Sequence, residues 1–193
     1  TYMDLIRKSY DHRVRSNMPD YDSIRSRFSW QDVEDELPHV TGGGLNIAYA
    51  ACDSHLERSS ERTALRCIDP HGDRREYSFA ELSLLSSQFA NAISELGLSK
   101  GERIFALLPR CIELYIAVLG SLKNECIFSP LFSAFGSKPI KARMQIGKAA
   151  ALVTTSKYFL RKVRPIRAAL EDLKWLVIVG ELDPRIEGLP GVV

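Results

Sequence analysis

The stretch RIFALLPRCIELYIAVLGSLKNECIFSPLF, residues 103–132, decides the predicted fold. An apolar run at residues 103–108 is followed by a segment of helical length, CIELYIAVLGSL, and then by a second apolar run, CIFSPLF. Strands that are apolar at almost every position are typical of parallel sheets, because helices cover both faces of such sheets. The stretch therefore predicts two parallel strands joined by a helix.

The same alternation continues to residue 180. The segments KPIKARMQIGKA and KYFLRKVRPIRAAL predict helices, whereas ALVTT (residues 151–155) and WLVIVG (residues 175–180) predict strands. Together they predict an α/β fold with a doubly wound parallel sheet. Ligands of such sheets bind beyond the carboxyl ends of the strands, which predicts a site near residues 109–110, 133–136 and 155–157.

A β-hairpin precedes the sheet. TALRCID and REYSF predict two strands joined by a turn at residues 70–73, which contains a proline and a glycine. Ser78 and Glu81 have the spacing of a capping box at the start of the next helix, and Gly97 supplies its end.

A glycine-rich segment, TGGGLN at residues 41–46, lies further upstream. No strand precedes it and no Lys-Ser or Lys-Thr follows, so it is predicted to be a flexible connector instead of a phosphate loop. Asn46 is a good N-cap for a helix that is predicted to run from Ile47 to about Leu56. His55 is predicted to be structural, since no partner lies near it in the sequence.

These elements predict three parts of the chain. Residues 1–45 form a helical N-terminal arm, residues 46–180 the α/β subdomain, and residues 181–193, rich in glycine and proline, a linker. The arm is expected to dock through its scattered aromatic side chains, which are Tyr10, Tyr21, Phe28 and Trp30.

Composition predicts a soluble globular protein. The chain has 193 residues, 45% of them hydrophobic, and a net charge of +2, which argues against a general nucleic-acid binder. It contains no signal peptide and no apolar run long enough to cross a bilayer, so no membrane partner is expected. The cysteines have no Cys-x-x-Cys spacing, which predicts reduced thiols and a cytoplasmic location; they are Cys52, Cys67, Cys111 and Cys126.

Two basic clusters follow the predicted strand ends. The first contains Lys138, Lys141 and Arg143; the second is RKVRPIR, residues 161–167. Arg161 and Arg164 are three residues apart, so they would share one helix face and could bind a single phosphate group together. The alternative is a basic helix face that contacts only solvent.

Phe132 and Phe135 flank Ser133 and Ala134 at one of these strand ends. Small residues let a flat ring approach the backbone, so this turn could stack on a nucleotide base; alternatively, both rings belong to the core. The sequence contains no hydrolase, metalloprotease, dinucleotide or Walker motif. No carboxylate sits in an acid/base pattern, and Asp53 and Glu113 are predicted to be helix-surface residues.

A family resemblance emerges from longer segments. FSWQDVEDELP, GGLNIAYAACDSHLE and REYSFAELSLLSSQFANAISELGLSKGERIFALLPRCIELYIAVLGSLKNECIFSPLFSAFGSKPIKAR resemble the N-terminal part of AMP-forming acetyl-CoA synthetases and related acyl-CoA synthetases. The likeness runs from about Phe28 to Gly180. It implies the N-terminal subdomain of the adenylate-forming ligase fold.

The resemblance implies a two-step reaction. A short-chain carboxylate attacks ATP to give an acyl-adenylate and pyrophosphate, and CoA then displaces AMP. In such enzymes the regions that bind ATP and Mg, the acyl pocket and the catalytic lysine follow the part represented here. The fragment alone is therefore expected to be inactive, and the acid that is activated cannot be deduced.

The resemblance also implies a CoA nucleotide site. Arg161-Lys162-Val163-Arg164 is similar to an Arg-x-x-Arg segment that contacts the 3′-phosphorylated end of CoA in this family. Phe132-Ser133-Ala134-Phe135 stands where the family has Phe-Gly-Gly-Phe against the CoA adenine. Arg143 is predicted to be structural.

Two functions are compatible with these observations. The chain is either the front of an AMP-forming acyl-CoA ligase or a stand-alone CoA or nucleotide-binding module of the same descent. If later subdomains normally cover this one, apolar side chains such as Trp30 and Trp175 are expected to be exposed and to promote self-association.

Overall fold

Short helices, one antiparallel hairpin and one parallel sheet make up the described part of the chain. The computed structural model describes residues 20–69 and 71–193. The described residues divide into two compact units, with the boundary between Leu37 and Pro38. Tyr10 of the predicted arm and Pro70 of the predicted hairpin turn lie outside the described residues.

The helices of the described residues include regular and irregular turns. They are α1 (Tyr21–Arg27), α2 (Trp30–Glu36), α3 (Ile47–Ala51), a 3₁₀ turn (Asp53–His55), α4 (Leu56–Ser59), α5 (Phe79–Glu95), α6 (Ile112–Lys123), α7 (Ser137–Ile146), α8 (Ser156–Tyr158), a π-helical turn (Phe159–Val163) and a 3₁₀ segment (Arg164–Ala169). The strands are β1 (Thr63–Ile68), β2 (Arg74–Ser78), β3 (Arg103–Leu107), β4 (Ile127–Pro130), β5 (Ala151–Thr155) and β6 (Trp175–Val179).

The two helices described between residues 20 and 37 are short and individually capped. Asp20 caps α1 by accepting from the backbone N–H of Ser23, and Ser29 caps α2 by accepting from that of Gln31. The ring of Trp30 is 77% exposed, as the sequence predicted, and it packs edge-on against the ring of Phe28 at a centroid distance of 5.0 Å.

In the second unit, β1 and β2 pair antiparallel, which confirms the predicted hairpin. Ser78 and Glu81 form the predicted capping box at the start of α5. Asn46 caps α3 by accepting from the backbone N–H groups of Ala48 and Tyr49. The predicted helix from Ile47 to about Leu56 is nevertheless broken, because α3 ends at Ala51 and a 3₁₀ turn separates it from α4.

The four sheet strands are parallel and have the order β4-β3-β5-β6. Successive side chains of β3 alternate between two apolar clusters, since Ile104 and Ala106 belong to one and Phe105 and Leu107 to the other. Each face of the sheet is therefore covered, and the predicted doubly wound α/β fold is confirmed.

The helices on the two faces differ in regularity. One cluster includes Ile93 of α5 and Ala117 of α6, and we call these two helices the regular layer. The other includes Ile140 of α7, Phe159 and Val163. We call α7 together with residues 156–169 the irregular layer, because the single long helix predicted for residues 157–170 is instead three short segments of different pitch.

Two exposure predictions are wrong. Trp175 is half-buried and packs against the cluster beneath the regular layer. Asp53 is not a helix-surface residue, because its side chain is 20% exposed and accepts at 2.7 Å from Lys123 Nζ. Asp53 carries no sequence signal for burial, because Lys123 comes from a distant part of the chain, whereas Trp175 begins an apolar strand of a sheet that is covered on both faces.

The residues after β6 pack on the sheet. Ile186 is fully buried, and the backbone N–H of Leu176 in β6 donates to the carbonyl of Gly191 at 2.7 Å. A Cβ at residue 191 would lie 2.0 Å from the carbonyl oxygen of Lys174, so only glycine allows this approach. The predicted linker is therefore a docked segment, at least to residue 193.

Candidate nucleotide-binding cleft

A cleft of about 780 Å³ lies beyond the carboxyl ends of β5 and β6. One wall is formed by the helical residues after β5, including Leu160, Arg161 and Arg164. The other wall is formed by residues 181–185, which follow β6. Residues 155–157, one of the three strand ends predicted to border a ligand, lie at its base.

The irregular helical segment determines which side chains reach this cleft. Thr155 caps its first turn by accepting from the backbone N–H of Tyr158. A π-helical turn follows, and Pro165, which has no N–H to donate, lies at the start of the 3₁₀ segment. Phe159 and Val163 point into the core.

Arg161 and Arg164 both line the cleft and are both exposed. The spacing of three residues therefore places the two guanidinium groups on one wall, as the sequence analysis predicted. A pair of guanidinium groups on one wall can donate several hydrogen bonds to a phosphate or carboxylate.

Lys162 points elsewhere. Its Nζ donates to the carbonyl oxygen of Ser133 and lies 5.1 Å from the centroid of the Tyr158 ring. The lysine thus connects the irregular helical segment to the turn at residues 132–135, instead of joining Arg161 and Arg164 in the cleft.

The turn at residues 132–135 lies beside the cleft and not in its wall. Phe135 donates from its backbone N–H to the carbonyl of Phe132 at 2.9 Å, and the two rings meet edge-on at 5.5 Å. Phe132 is 64% exposed and Ala134 is also exposed, whereas Ser133 is half-buried. Phe132 therefore presents a free aromatic surface of the kind that could stack on a base.

Arg143 has a local partner in the structure. Its guanidinium lies 4.4 Å above the ring of Phe135 and donates to the carbonyl of Pro139. These contacts agree with the predicted structural role, since a cation on a ring face stabilises the turn that the ring belongs to.

Three charged cleft residues were missed by the sequence analysis, namely Glu181, Asp183 and Arg185. All three belong to the segment predicted to be a linker. Ser156 holds this segment in place, because its hydroxyl donates to the carbonyl of Glu181 at 2.7 Å and accepts from the backbone N–H of Asp183 at 3.1 Å. Glycine and proline content alone gave no sign of this contact.

The cleft has an excess of positive charge. Four cationic side chains and two acidic ones line it, which leaves two positive charges unmatched. Asp183 is the acidic group with the strongest local interaction, because hydrogen bonds from the side chain and backbone of Arg185 lower the pKa of its carboxyl to about 2. A cleft of this charge favours a phosphate dianion.

Other kinds of site receive less support from residues 20–69 and 71–193. No group of three or more His, Cys, Asp or Glu side chains there could hold a metal ion. In the same ranges, no helix combines the length and apolar character that a membrane span requires. All four cysteines are free, and burial raises the pKa of Cys52, Cys111 and Cys126.

Comparison with known proteins identifies the family. The sequence profile described as AMP-binding enzyme matches residues 52–190, which include most of the second unit. The chain belongs to the AMP-binding enzyme family. This confirms the resemblance to adenylate-forming ligases that the sequence segments indicated.

Individual relatives of this AMP-binding chain are named for acyl activation. It is 33% identical over 141 residues to acetyl-coenzyme A synthetase of Bacillus subtilis, an alignment that covers 72% of this chain and 24% of that protein. It is 34% identical over 134 residues to acetyl-coenzyme A synthetase of Mycobacterium bovis, covering 68% of this chain and 21% of that protein. The chain thus spans about a quarter of the length of these relatives.

A solved structure shows the same architecture. The crystal structure of Brucella canis acyl-CoA synthetase matches 90% of this chain with a TM-score of 0.73 and 29% identity, and the match covers 30% of that protein. The predicted fold class, an N-terminal subdomain of the adenylate-forming ligase fold, is therefore confirmed.

Proposed function

We propose that this chain is the N-terminal part of an AMP-forming short-chain acyl-CoA ligase, with acetate as the leading substrate. The complete enzyme converts ATP, a carboxylate and CoA to acyl-CoA, AMP and pyrophosphate through an acyl-adenylate. The family and the names of the relatives at 33% and 34% identity support this proposal. The chain alone is expected to form no adenylate, because it spans only about a quarter of their length.

Within that enzyme, we propose that the cleft beyond β5 and β6 binds the 3′-phosphate of CoA. The observation that carries this proposal is the placement of Arg161 and Arg164 on one wall of a cleft with excess positive charge. The two guanidinium groups would hold the phosphate, and Lys162 would hold the neighbouring turn through Ser133. Phe132, with Ser133 and Ala134, would offer a surface to the adenine.

The roles of the chain's own residues follow from this geometry. Binding of the 3′-phosphate orients the nucleotide end of CoA and leaves the thiol end free to reach the remainder of the enzyme. None of these residues takes part in bond making, so they contribute to the KM for CoA and not to the adenylation step. ATP and Mg are assigned to the remainder of the chain.

The test is binding of CoA and 3′-dephospho-CoA to the 193-residue chain, measured by calorimetry at low salt. CoA is expected to bind about tenfold more tightly, because the two arginines donate charge-assisted hydrogen bonds to the extra phosphate. Arg161→Ala should remove this difference. Lys174→Ala is the matched control, because it removes a positive charge at the amino end of β6, opposite the cleft. Equal binding of CoA and 3′-dephospho-CoA to the wild-type chain would contradict the proposed site.

A second candidate is a stand-alone nucleotide-binding module without ligase activity. This candidate is favoured because the second unit has its own apolar cluster on each face of the sheet. The intact mass of the native polypeptide distinguishes the two candidates. A mass several times 21.7 kDa supports the ligase, and a mass near 21.7 kDa supports the module.

The location and assembly of the protein stay predictions. The composition and the family together favour a cytoplasmic enzyme that acts on small-molecule substrates and has no nucleic-acid or membrane partner. Self-association of the isolated chain through exposed apolar side chains such as Trp30 is testable by light scattering over a range of concentrations. A monomer throughout that range would contradict it.

A further inference from the structure

The wall of the cleft formed by residues 181–185 carries its own ion pair. Arg185 Nη2 donates to Asp183 Oδ2 at 2.6 Å, and Arg185 Nε donates to Asp183 Oδ1 at 2.9 Å. The backbone N–H of Arg185 donates to the same Oδ1 at 3.0 Å. One carboxylate therefore accepts three hydrogen bonds from a single neighbouring residue, which is the arrangement by which an arginine binds a phosphate.

The opposite wall of the same cleft carries Arg164. The positive charge of Arg164 contributes to the lowered pKa of Asp183, after the larger effect of Arg185. The backbone of Asp183 is fixed by its hydrogen bond to Ser156, at the end of β5. Asp183 thus remains ionised at neutral pH and is held in the cleft between the cations of both walls.

We propose that the Asp183 carboxylate competes with a bound phosphate for Arg185, and that Arg185 is a third phosphate-binding residue of the cleft. In the empty cleft Arg185 is held by Asp183; when a phosphate dianion binds, Arg185 turns from the carboxylate to the phosphate. The inference rests on the proposed function of the cleft, and it goes beyond it by assigning the opposite wall.

Because the pair is exposed to solvent, Arg185 can exchange Asp183 for a phosphate at a small cost in free energy. The side chain of Arg185 is 67% exposed and that of Asp183 is 24% exposed. An ion pair this exposed contributes little to stability, so a competing anion can open it. A dianion gains more from Arg164 and Arg185 than a monoanion does, because Coulomb attraction scales with charge. The pair therefore makes the cleft selective for a terminal phosphate over a phosphodiester or a carboxylate.

The test uses adenosine 3′,5′-bisphosphate as the probe and the 193-residue chain as the protein, with affinities measured by calorimetry at low salt. Asp183→Asn keeps an oxygen for the backbone N–H of Arg185 but removes the charge, so the affinity is expected to rise about tenfold. Glu181→Gln is the matched control, since it removes one negative charge from the same cleft wall. Its affinity should rise by less than about threefold.

A double variant separates the role of Arg185 from a general charge effect. Arg185→Ala is expected to weaken binding several-fold, and Asp183→Asn on that background should raise affinity no more than Glu181→Gln does. Each variant is checked by circular dichroism, and Asp183→Ser provides a second substitution if Asp183→Asn fails to fold.

The outcomes distinguish this inference from the proposed function. If the probe binds in an Arg161-dependent way but Asp183→Asn and Glu181→Gln change affinity equally, the proposed function stands and this inference is wrong. If Asp183→Asn tightens binding by the same factor in the wild type and in the Arg185→Ala variant, this inference is also wrong. If neither the wild type nor Asp183→Asn binds the probe, both proposals are wrong.

Discussion

The regular and irregular layers of the sheet differ in the regularity of their helices and in the side chains that they expose. In the regular layer, α5 and α6 pack so closely that Gly120 has no space for a side chain. An ion pair between Asp53 and Lys123 lies largely shielded from solvent beside it. In the irregular layer, changes of helical pitch between residues 156 and 169 direct charged side chains outward. Both faces of the sheet bury an apolar cluster, but of the two layers it is the irregular one that borders the proposed cleft.

This contrast predicts that stability and binding depend on different parts of the domain. Helices of constant pitch allow continuous contact along their length, whereas π-helical and 3₁₀ turns reorient side chains at the cost of poorer hydrogen-bond geometry. Substitutions in the regular layer should therefore reduce the free energy of unfolding, and those of Arg161 or Arg164 should chiefly reduce binding.

The largest effect on stability is expected for Gly120→Ala. An added Cβ would lie 2.6 Å from the carbonyl oxygen of Ser86 and 2.8 Å from Cδ1 of Phe89. The helices would have to separate, at a cost of about 2–3 kcal/mol in the free energy of unfolding, measured by urea denaturation. Gly136→Ala is the control, because no atom lies within 4 Å of its added Cβ, and it should cost less than about 1 kcal/mol. Equal unfolding midpoints for the two variants would show that α5 and α6 accommodate a side chain at residue 120.

A smaller loss of stability is expected for Lys123→Met. Lys123 Nζ donates to Asp53 Oδ1 at 2.7 Å and to Ser87 Oγ at 3.0 Å, with only 12% of its side chain exposed. Its removal leaves the shielded Asp53 carboxylate without a cation and with only the hydrogen bond from Ser83 Oγ at 2.5 Å, at a cost of about 2 kcal/mol.

Lys174→Met provides the comparison for this pair. Lys174 lies 3.4 Å from Glu102 and is 65% exposed, so its loss should change the free energy of unfolding by less than about 0.5 kcal/mol. A loss for Lys123→Met as small as that for Lys174→Met would mean that the shielded pair adds nothing to the regular layer.

The smallest effect is a dependence of stability on alkaline pH. Burial, and next a hydrogen bond with Glu113, raise the pKa of Cys111 at the start of α6 from 9.0 to about 11. The folded state therefore keeps this thiol protonated to a higher pH than the unfolded state does. Its contribution is fully present below about pH 9 and should be lost as the pH rises to about 11.

Denaturant midpoints measured between about pH 8 and pH 11 test this dependence. The loss should be about 1 kcal/mol, after allowance for the partial exposure of the thiol. Cys111→Ser cannot ionise in this range and should show a shallower decline. A slope identical to that of the wild type would assign the alkaline sensitivity to other groups.

The sequence was sufficient for those features that depend on neighbours along the chain. The order of the strands and helices, the capping box of Ser78 and Glu81, and the cap at Asn46 were all predicted, because each requires only local hydrogen bonds or a repeating apolar pattern. The pairing of Arg161 with Arg164 was also local, since their spacing decides that they share a side of the segment.

Contacts between distant residues could not be predicted in this way. Nothing near Asp53 in the sequence indicates its ion pair with Lys123. The glycine and proline content of residues 181–193 predicted a linker, although these residues pack against β6. The break in the predicted long helix arises at Pro165, which has no N–H to donate, and in the preceding π-helical turn.

By itself, then, the sequence determined the fold class, the family and one wall of the cleft. Apolar periodicity and helix caps involve residues only a few positions apart, so they can be recognised in the sequence alone. Only the tertiary structure decided that Asp183 and Arg185 form the opposite wall, that Lys162 turns toward Ser133, and that Asp53 is shielded. These facts depend on which surfaces meet when the sheet assembles, and burial and Coulomb attraction act between groups that are close in space, however far apart they are in the chain.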